Sequence, residues 1–393
     1  MDRQASSFRV QEAPSVKDWS AVAAVSVGIF AVITAEQLPI GLLTQISSAM
    51  NISTGTTGLL VTIPGIIAGV SAPLLPLAVG QWDRRKVLVS LMANMAVANM
   101  VSSVAPNYLI LLMSRVFVGI SIGGFFALVG NLAMRLVPKE YVPRATSIIF
   151  GGVAAATVLG VPFGTFIGEL SNWRMAFAIL GFLGIIVLAA LLILLPNLPT
   201  TEPVKLQELK TQSQDTGVQY GLLITFLLVT GHFAAYTFVS PALQTIANID
   251  ESLISSLLLV FGATGIIGNF IAGTAAGRTP SRTIFAISAT LVTTLLLFAT
   301  VGTSKISGII LLSIWGLAFG GVSVSLQTWI QKSAPQAVEP ASALWTSIFN
   351  LSISFGALMG GLLIESVGIV NLLLVSAALI LPSVVISTIA PDQ

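Results

Sequence analysis

Along this chain, continuous apolar stretches alternate with short polar ones, twelve times over. The apolar runs cover approximately 19–43, 57–79, 87–105, 108–134, 145–168, 174–195, 220–245, 253–276, 284–301, 308–330, 341–364 and 370–390. Most approach or exceed the ~20 residues that a helix needs to cross a bilayer, and none alternates residue by residue. The pattern predicts an all-α membrane protein with twelve transmembrane helices. It excludes a β-barrel, whose strands are short and alternating. Between the sixth and seventh runs lies "PNLPTTEPVKLQELKTQSQDTGVQ" (196–219), a polar, proline-bearing linker between two six-helix halves. The first run is longer than a signal peptide's apolar region and is expected to be a retained span.

Composition agrees with this pattern. The 393 residues are 55% hydrophobic and 8% charged, against about 25% charged in a soluble domain. With no cysteine and one histidine, His232, disulfides and thiolate chemistry are excluded and a protein-held zinc or haem is not expected. No cofactor is expected beyond a coupling proton.

The net charge of +2 could point to nucleic acid, but the positions of the charges point to orientation instead. With a cytoplasmic N-terminus, the tail holds Arg3, Arg9 and Lys17. The loops on the same side hold Arg84, Arg85, Lys86, Arg135, Lys139, Arg144, Lys205, Lys210, Arg278, Arg282 and Lys332. That is 14 of 17 Lys and Arg residues inside; Arg174 and Lys305 fall outside, and Arg115 lies within the membrane. The expected organisation is a cytoplasmic tail (1–18), a six-helix bundle (19–195), a cytoplasmic linker (196–219) and a second bundle (220–393), with both termini cytoplasmic.

The halves repeat. A shift of 197 places Gly80 on Gly277, Arg85 on Arg282, Gly119, Gly123 and Gly124 on Gly316, Gly320 and Gly321, and Pro138 on Pro335. At 196, Gly160, Gly164 and Glu169 meet Gly356, Gly360 and Glu365. Parallel six-helix repeats of this kind occur in secondary transporters, whose substrate site lies between the halves.

Specific motifs narrow the class. "GQWDRRKV" (80–87), "LLMSRVFVG" (111–119) and "GVPFG" (160–164) resemble the loop-2/3, helix-4 and helix-5 motifs of the major facilitator superfamily. "HFAAYTFVSPALQTIAN" (232–248) and "SIFNLSISFGALMGG" (347–361) resemble its bacterial sugar-efflux and purine-ribonucleoside-efflux members within the drug:proton antiporter group. The second copy of the loop motif carries Pro280 where Asp83 maps. Asp83, Arg84 and Arg85 can make charge–dipole and ion-pair contacts at helix ends on the cytoplasmic side. Gly160, Pro162 and Gly164 allow close helix approach and a bend. The resemblance implies two pseudo-symmetric bundles, with the first, fourth, seventh and tenth helices lining a central cavity.

Two charges remain for the membrane interior. Glu36 lies about 10 Å from the outer end of the first span at 1.5 Å per residue, and Arg115 lies at a similar depth in the fourth. Each is expected to accommodate the other, because an isolated charge there costs roughly 2.5–3.5 kcal/mol. Arg115 maps onto Leu312 in the repeat, so the fold itself does not require the charge. Burial favours a neutral carboxyl and a nearby guanidinium favours the ionised one. A change in either would let Glu36 take a proton outside and release it inside. His232 is a candidate second proton site or solute contact, with Tyr236 and Ser240 following at four-residue spacing. Asn350, Trp315, Gln327 and Phe126 are further candidates for contact with a polar solute bearing a ring face.

These features predict a proton-coupled exporter of a sugar, nucleoside or drug, working as a monomer in the cell inner membrane by alternating access. A proton symporter or facilitator is the alternative. An intramembrane enzyme would need a catalytic constellation that these residues do not supply, and a channel would not need the repeat.

Overall fold

The computed structural model describes residues 14–129, 132–199 and 206–389. Arg3, Arg9 and Lys205 lie outside these residues. Among the described residues, twelve helices are long and apolar enough to cross a membrane. They are α1 (Val16–Met50), α2 (Thr54–Leu75), α3 (Arg84–Val104), α4 (Tyr108–Val129), α5 (Arg144–Leu170) and α6 (Trp173–Leu194). The second half holds α7 (Thr216–Tyr236), α8 (Glu251–Arg278), α9 (Pro280–Val301), α10 (Lys305–Ser333), α11 (Pro340–Ser366) and α12 (Gly368–Ile389).

Local chemistry sets the ends. Ser15 and Asp18 form a reciprocal capping box at the start of α1, and Asn51 ends it in the left-handed conformation. The helix therefore runs past residue 43, through the polar "TQISSAM", to Met50. The seventh run is interrupted: α7 stops at Tyr236 and a short helix, Val239–Thr245, follows. Pro241 explains the gap, since it cannot donate to the carbonyl of Thr237. In α5, a π turn over Ala156–Gly160 leads into Pro162, a local widening found often at functional sites. The linker contains a short helix over Leu206–Gln212.

Buried apolar side chains gather into two large clusters. One is built wholly from residues between Ala21 and Leu198. The other holds residues from Val218 to Ile380, joined by Ile40, Val61 and Val161 of the first half. The repeat reappears as repeated contacts. A Cβ on Gly119 would collide with the Pro64 carbonyl and one on Gly123 with that of Ala68. A Cβ on Gly316 or Gly320 would collide with the carbonyls of Phe261 and Gly265. Both members of each pair are related by the same 197-residue shift, so α4 on α2 and α10 on α8 are one packing solution used twice.

The halves meet along most of the length of α2 and α11. Along α2 and α11, Gly55 abuts Gly361, Gly65 abuts Ser354 and Gly69 abuts Leu351. The Ser347 hydroxyl donates to the Gly69 carbonyl at 2.9 Å. Leu43 of α1 packs with Ala234, Phe238 and Leu372 of the second half.

Gly320→Ala, which drives a methyl into backbone, should destabilise the protein by about 1–3 kcal/mol, the usual penalty of overpacking. Gly151 has nothing within 4 Å of its would-be Cβ. Gly151→Ala should therefore leave the thermal unfolding midpoint in detergent unchanged or slightly raised.

Candidate functional site

The site begins with two prolines. Pro39 in α1 has no amide hydrogen, so the Ala35 carbonyl, four residues earlier, loses its helical donor. Pro64 in α2 does the same to the Leu60 carbonyl. Arg115 of α4 supplies both missing bonds: Nη2 donates to Ala35 O at 2.5 Å and Nε to Leu60 O at 3.1 Å. Its guanidinium also lies 5.9 Å from the ring centre of Phe177 on α6. Arg115 is completely buried, with Nε and Nη2 engaged by backbone.

Glu36 is 4% exposed and sits next to Ala35 in sequence, but no hydrogen bond or ion pair within 4 Å joins it to Arg115. This corrects the expected mutual accommodation. The guanidinium is held instead by the two carbonyls that the prolines leave without helical donors. The two charges still interact at longer range. Oε1 of Glu36 and Nη1 of Arg115 are both buried without a partner. Ile40 and Leu43, four and seven residues after Glu36, pack among side chains of the second half. Glu36 shares that helix face. Val32 and Ile33, on the same face before Glu36, pack in the first-half core, so Glu36 stands where α1 passes from that core to the second half, while Arg115 lies within the first bundle.

The other face of α1 rests on α5. Cβ atoms on Gly160, Gly164 and Gly168 would meet Thr34, Leu38 and Leu42 respectively, and one on Gly41 would meet Thr165. The helix-5 motif therefore seats α1 from Thr34 to Leu42, which brackets Glu36.

In the second half, His232, Tyr236 and Trp315 form one cluster, while Asn350, Gln327 and Phe126 lie apart from it. The Trp315 indole N–H donates to His232 Nδ1 at 3.0 Å. The neutral ring must then carry its proton on Nε2, which is buried without a partner. Phe319 stacks on the imidazole with ring centres 3.4 Å apart, and Tyr236 stacks on Phe261 at 4.6 Å. Trp315 is fully buried with its donor engaged, so the structure does not present it as an open solute contact. The Asn350 amide donates to Thr346 O within its own helix at 2.8 Å. Gln327 is half-buried, and Phe126 packs against the first core.

The loop motif is engaged with its own half. The Asp83 carboxylate accepts from the amides of Arg85 at 2.8 Å and Leu198 at 3.0 Å, and the Arg84 amide donates to Leu198 O at 2.9 Å. The Arg85 side chain donates to Asn197 Oδ1 at 3.1 Å and to Leu192 O. These bonds fasten the chain leaving α6 to the start of α3. The reading from sequence missed Pro39, Pro64, Phe261 and Phe319. For the prolines, the signal lay in counting back four residues to an orphaned carbonyl.

Arg115→Leu should cost about 1–3 kcal/mol for each buried carbonyl left unpaired. In a Pro39→Ala, Pro64→Ala background the alanine amides refill those carbonyls and most of that loss should vanish. Thermal unfolding of the four variants reads the difference.

Comparison with known proteins gives a consistent family. The sequence profile of the Major Facilitator Superfamily matches residues 25–339. The chain is 32% identical to the protein of Pseudomonas aeruginosa named transcription regulatory protein OpdE, over 92% of this chain and 91% of that one. It is 30% identical to the purine ribonucleoside efflux pump NepI of Salmonella paratyphi B, over 93% and 92%. Among solved structures, a bacterial homologue of the human lysosomal transporter Spinster, described as inward-facing and occupied, has the same fold. It aligns with TM-score 0.73 at 14% identity, over 96% of this chain and 97% of that one. The human organic anion transporter MFSD10 aligns with TM-score 0.70 at 16% identity, over 94% and 99%.

Proposed function

Because the chain belongs to the Major Facilitator Superfamily, we propose that this membrane transporter exports a purine ribonucleoside or similar small polar solute in exchange for protons. It is not an enzyme. The observation that carries the reading is Glu36. Among the described residues it is the one acid deep within a span, its Oε1 has no partner, and it shares a face with residues at the bundle junction. The efflux pumps 30% identical along nearly the whole chain support the direction and the solute class.

The basic loops face the cytoplasm of a bacterial inner membrane, with both termini on that side, and a single chain works alone. Proton and solute compete for the cavity between bundles. With the cavity open outward, Glu36 takes up a proton and the solute leaves. With the cavity open inward, water reaches the carboxyl, the proton departs and solute binds. Because Arg115 is committed to carbonyls, its charge biases Glu36 without trapping it in an ion pair. An inward proton contributes about 2.3 kcal/mol per 100 mV of membrane potential. Gln327 and Phe126 are the solute contacts that this reading retains.

Glu36→Gln in proteoliposomes should abolish inosine accumulation driven by an imposed pH gradient while preserving inosine counterflow without one. Gradient-driven accumulation at the wild-type rate would overturn the proton-carrying role of Glu36.

A further inference from the structure

Two carboxylates cross the boundary between the halves on the face away from the basic loops. Glu169 at the end of α5 accepts from the Ser255 hydroxyl at 3.0 Å and from the Ser255 amide at 3.4 Å, in the first turn of α8. Glu365 at the end of α11 accepts from the Thr56 amide at 3.1 Å and from the Ser53 hydroxyl, at the start of α2. Glu169 and Glu365 are related by the 196-residue shift of the repeat. Each therefore places an anion on the N-terminus of a helix in the opposite bundle, where unpaired amides and the helix dipole favour negative charge.

The surroundings fit a fastening. Gly55, in the first turn of α2, leaves no room for a side chain beneath Glu365 and the Gly361 carbonyl. The Tyr108 hydroxyl donates to Thr56 O at 2.5 Å and ties that helix start to α4. Glu169 lies beside Gln45, Asn172 and Glu251 around a cavity of about 460 Å³. Neither carboxylate has a basic partner within 4 Å.

We propose that Glu169 and Glu365 are a symmetric pair of latches that hold the outer side closed and must both let go for it to open. The idea rests on the alternating-access reading above, though not on its proton step. In the closed state each latch satisfies the end of a helix from the other bundle. When the bundles rock apart, water takes the place of the carboxylate at both helix ends. Because the latches lie on opposite flanks, at α5–α8 and α2–α11, losing one loosens a flank and losing both frees the whole outer seam.

The chain has no cysteine, so one introduced thiol reports opening without background. Leu43→Cys lies in the closed junction, fully buried. Its reaction with a membrane-impermeant maleimide, added outside intact cells, should quicken about two- to fivefold with Glu169→Ala or Glu365→Ala, the range expected for losing a helix-terminal anion. The double variant should be faster still. Ser255→Ala, which removes the hydroxyl and keeps the amide, should reproduce part of the Glu169→Ala effect and add nothing to it. Asp250→Ala breaks a 2.6 Å ion pair to Lys305 within the second half and should leave the rate unchanged. Glu169→Gln and Glu365→Gln, which keep the shape of the side chain, provide the reading if an alanine variant does not reach the membrane. Equal labelling of parent and latch variants overturns the proposal, as does an equal rise with Asp250→Ala. Repeating the series on Glu36→Gln separates the two ideas. Faster labelling there shows latches that act whether or not Glu36 carries a proton, and unchanged labelling there also overturns the proposal.

Discussion

Inside hydrocarbon, a backbone carbonyl without a donor is expensive, and two of them meet at one point in the first bundle. Pro39 and Pro64 each strip a partner from a carbonyl of their own helix, and the arginine of α4 reaches both. This constraint governs what the rest of the site can do. Prolines loosen α1 and α2 where they approach the second bundle. Arg115 restores their bonding without restoring their regularity. Its guanidinium is held by backbone rather than by the adjacent carboxyl.

The second half shows the same positions solved differently. Under the 197-residue shift, Pro39 and Pro64 fall on Tyr236 and Phe261, Arg115 on Leu312, and Glu36 on Phe233. Tyr236 and Phe261 stack on each other, and Leu312 is fully buried. Without the prolines there is no orphaned carbonyl to fill, and no arginine is present. One bundle is therefore polar and interrupted at this level, while the other is an aromatic block with His232 locked inside by Trp315 and Phe319. A duplicated architecture with unlike interiors suits a transporter that needs one bundle for proton chemistry and a stiff partner to rock against.

Much of the fold was legible because it rests on local arithmetic. Continuous apolar runs gave twelve spans, and the glycines at constant offset gave contacts that recur residue for residue, Gly123 on Ala68 and Gly320 on Gly265. The site was legible only in part. Glu36 and Arg115 stood out as charges in apolar runs, but pairing them by depth assumed that each had only the other. Carbonyl acceptors carry no mark in the sequence except the proline four residues on. Asp83 read as a residue for charge–dipole or ion-pair contacts at a helix end, and the structure shows the first: its Oδ1 caps α3 through the Arg85 amide and also accepts from the Leu198 amide. Glu169 and Glu365 read only as a pair related by the repeat, because their partners lie across a junction that only the packed bundles create.

The central claim, that Glu36 gives up its proton when solute binds, can be read without any membrane. Purified protein in weakly buffered detergent, mixed with inosine, should release close to one proton per inosine bound, and the Glu36→Gln variant should bind inosine with no release. Equal proton release from both proteins would contradict the account.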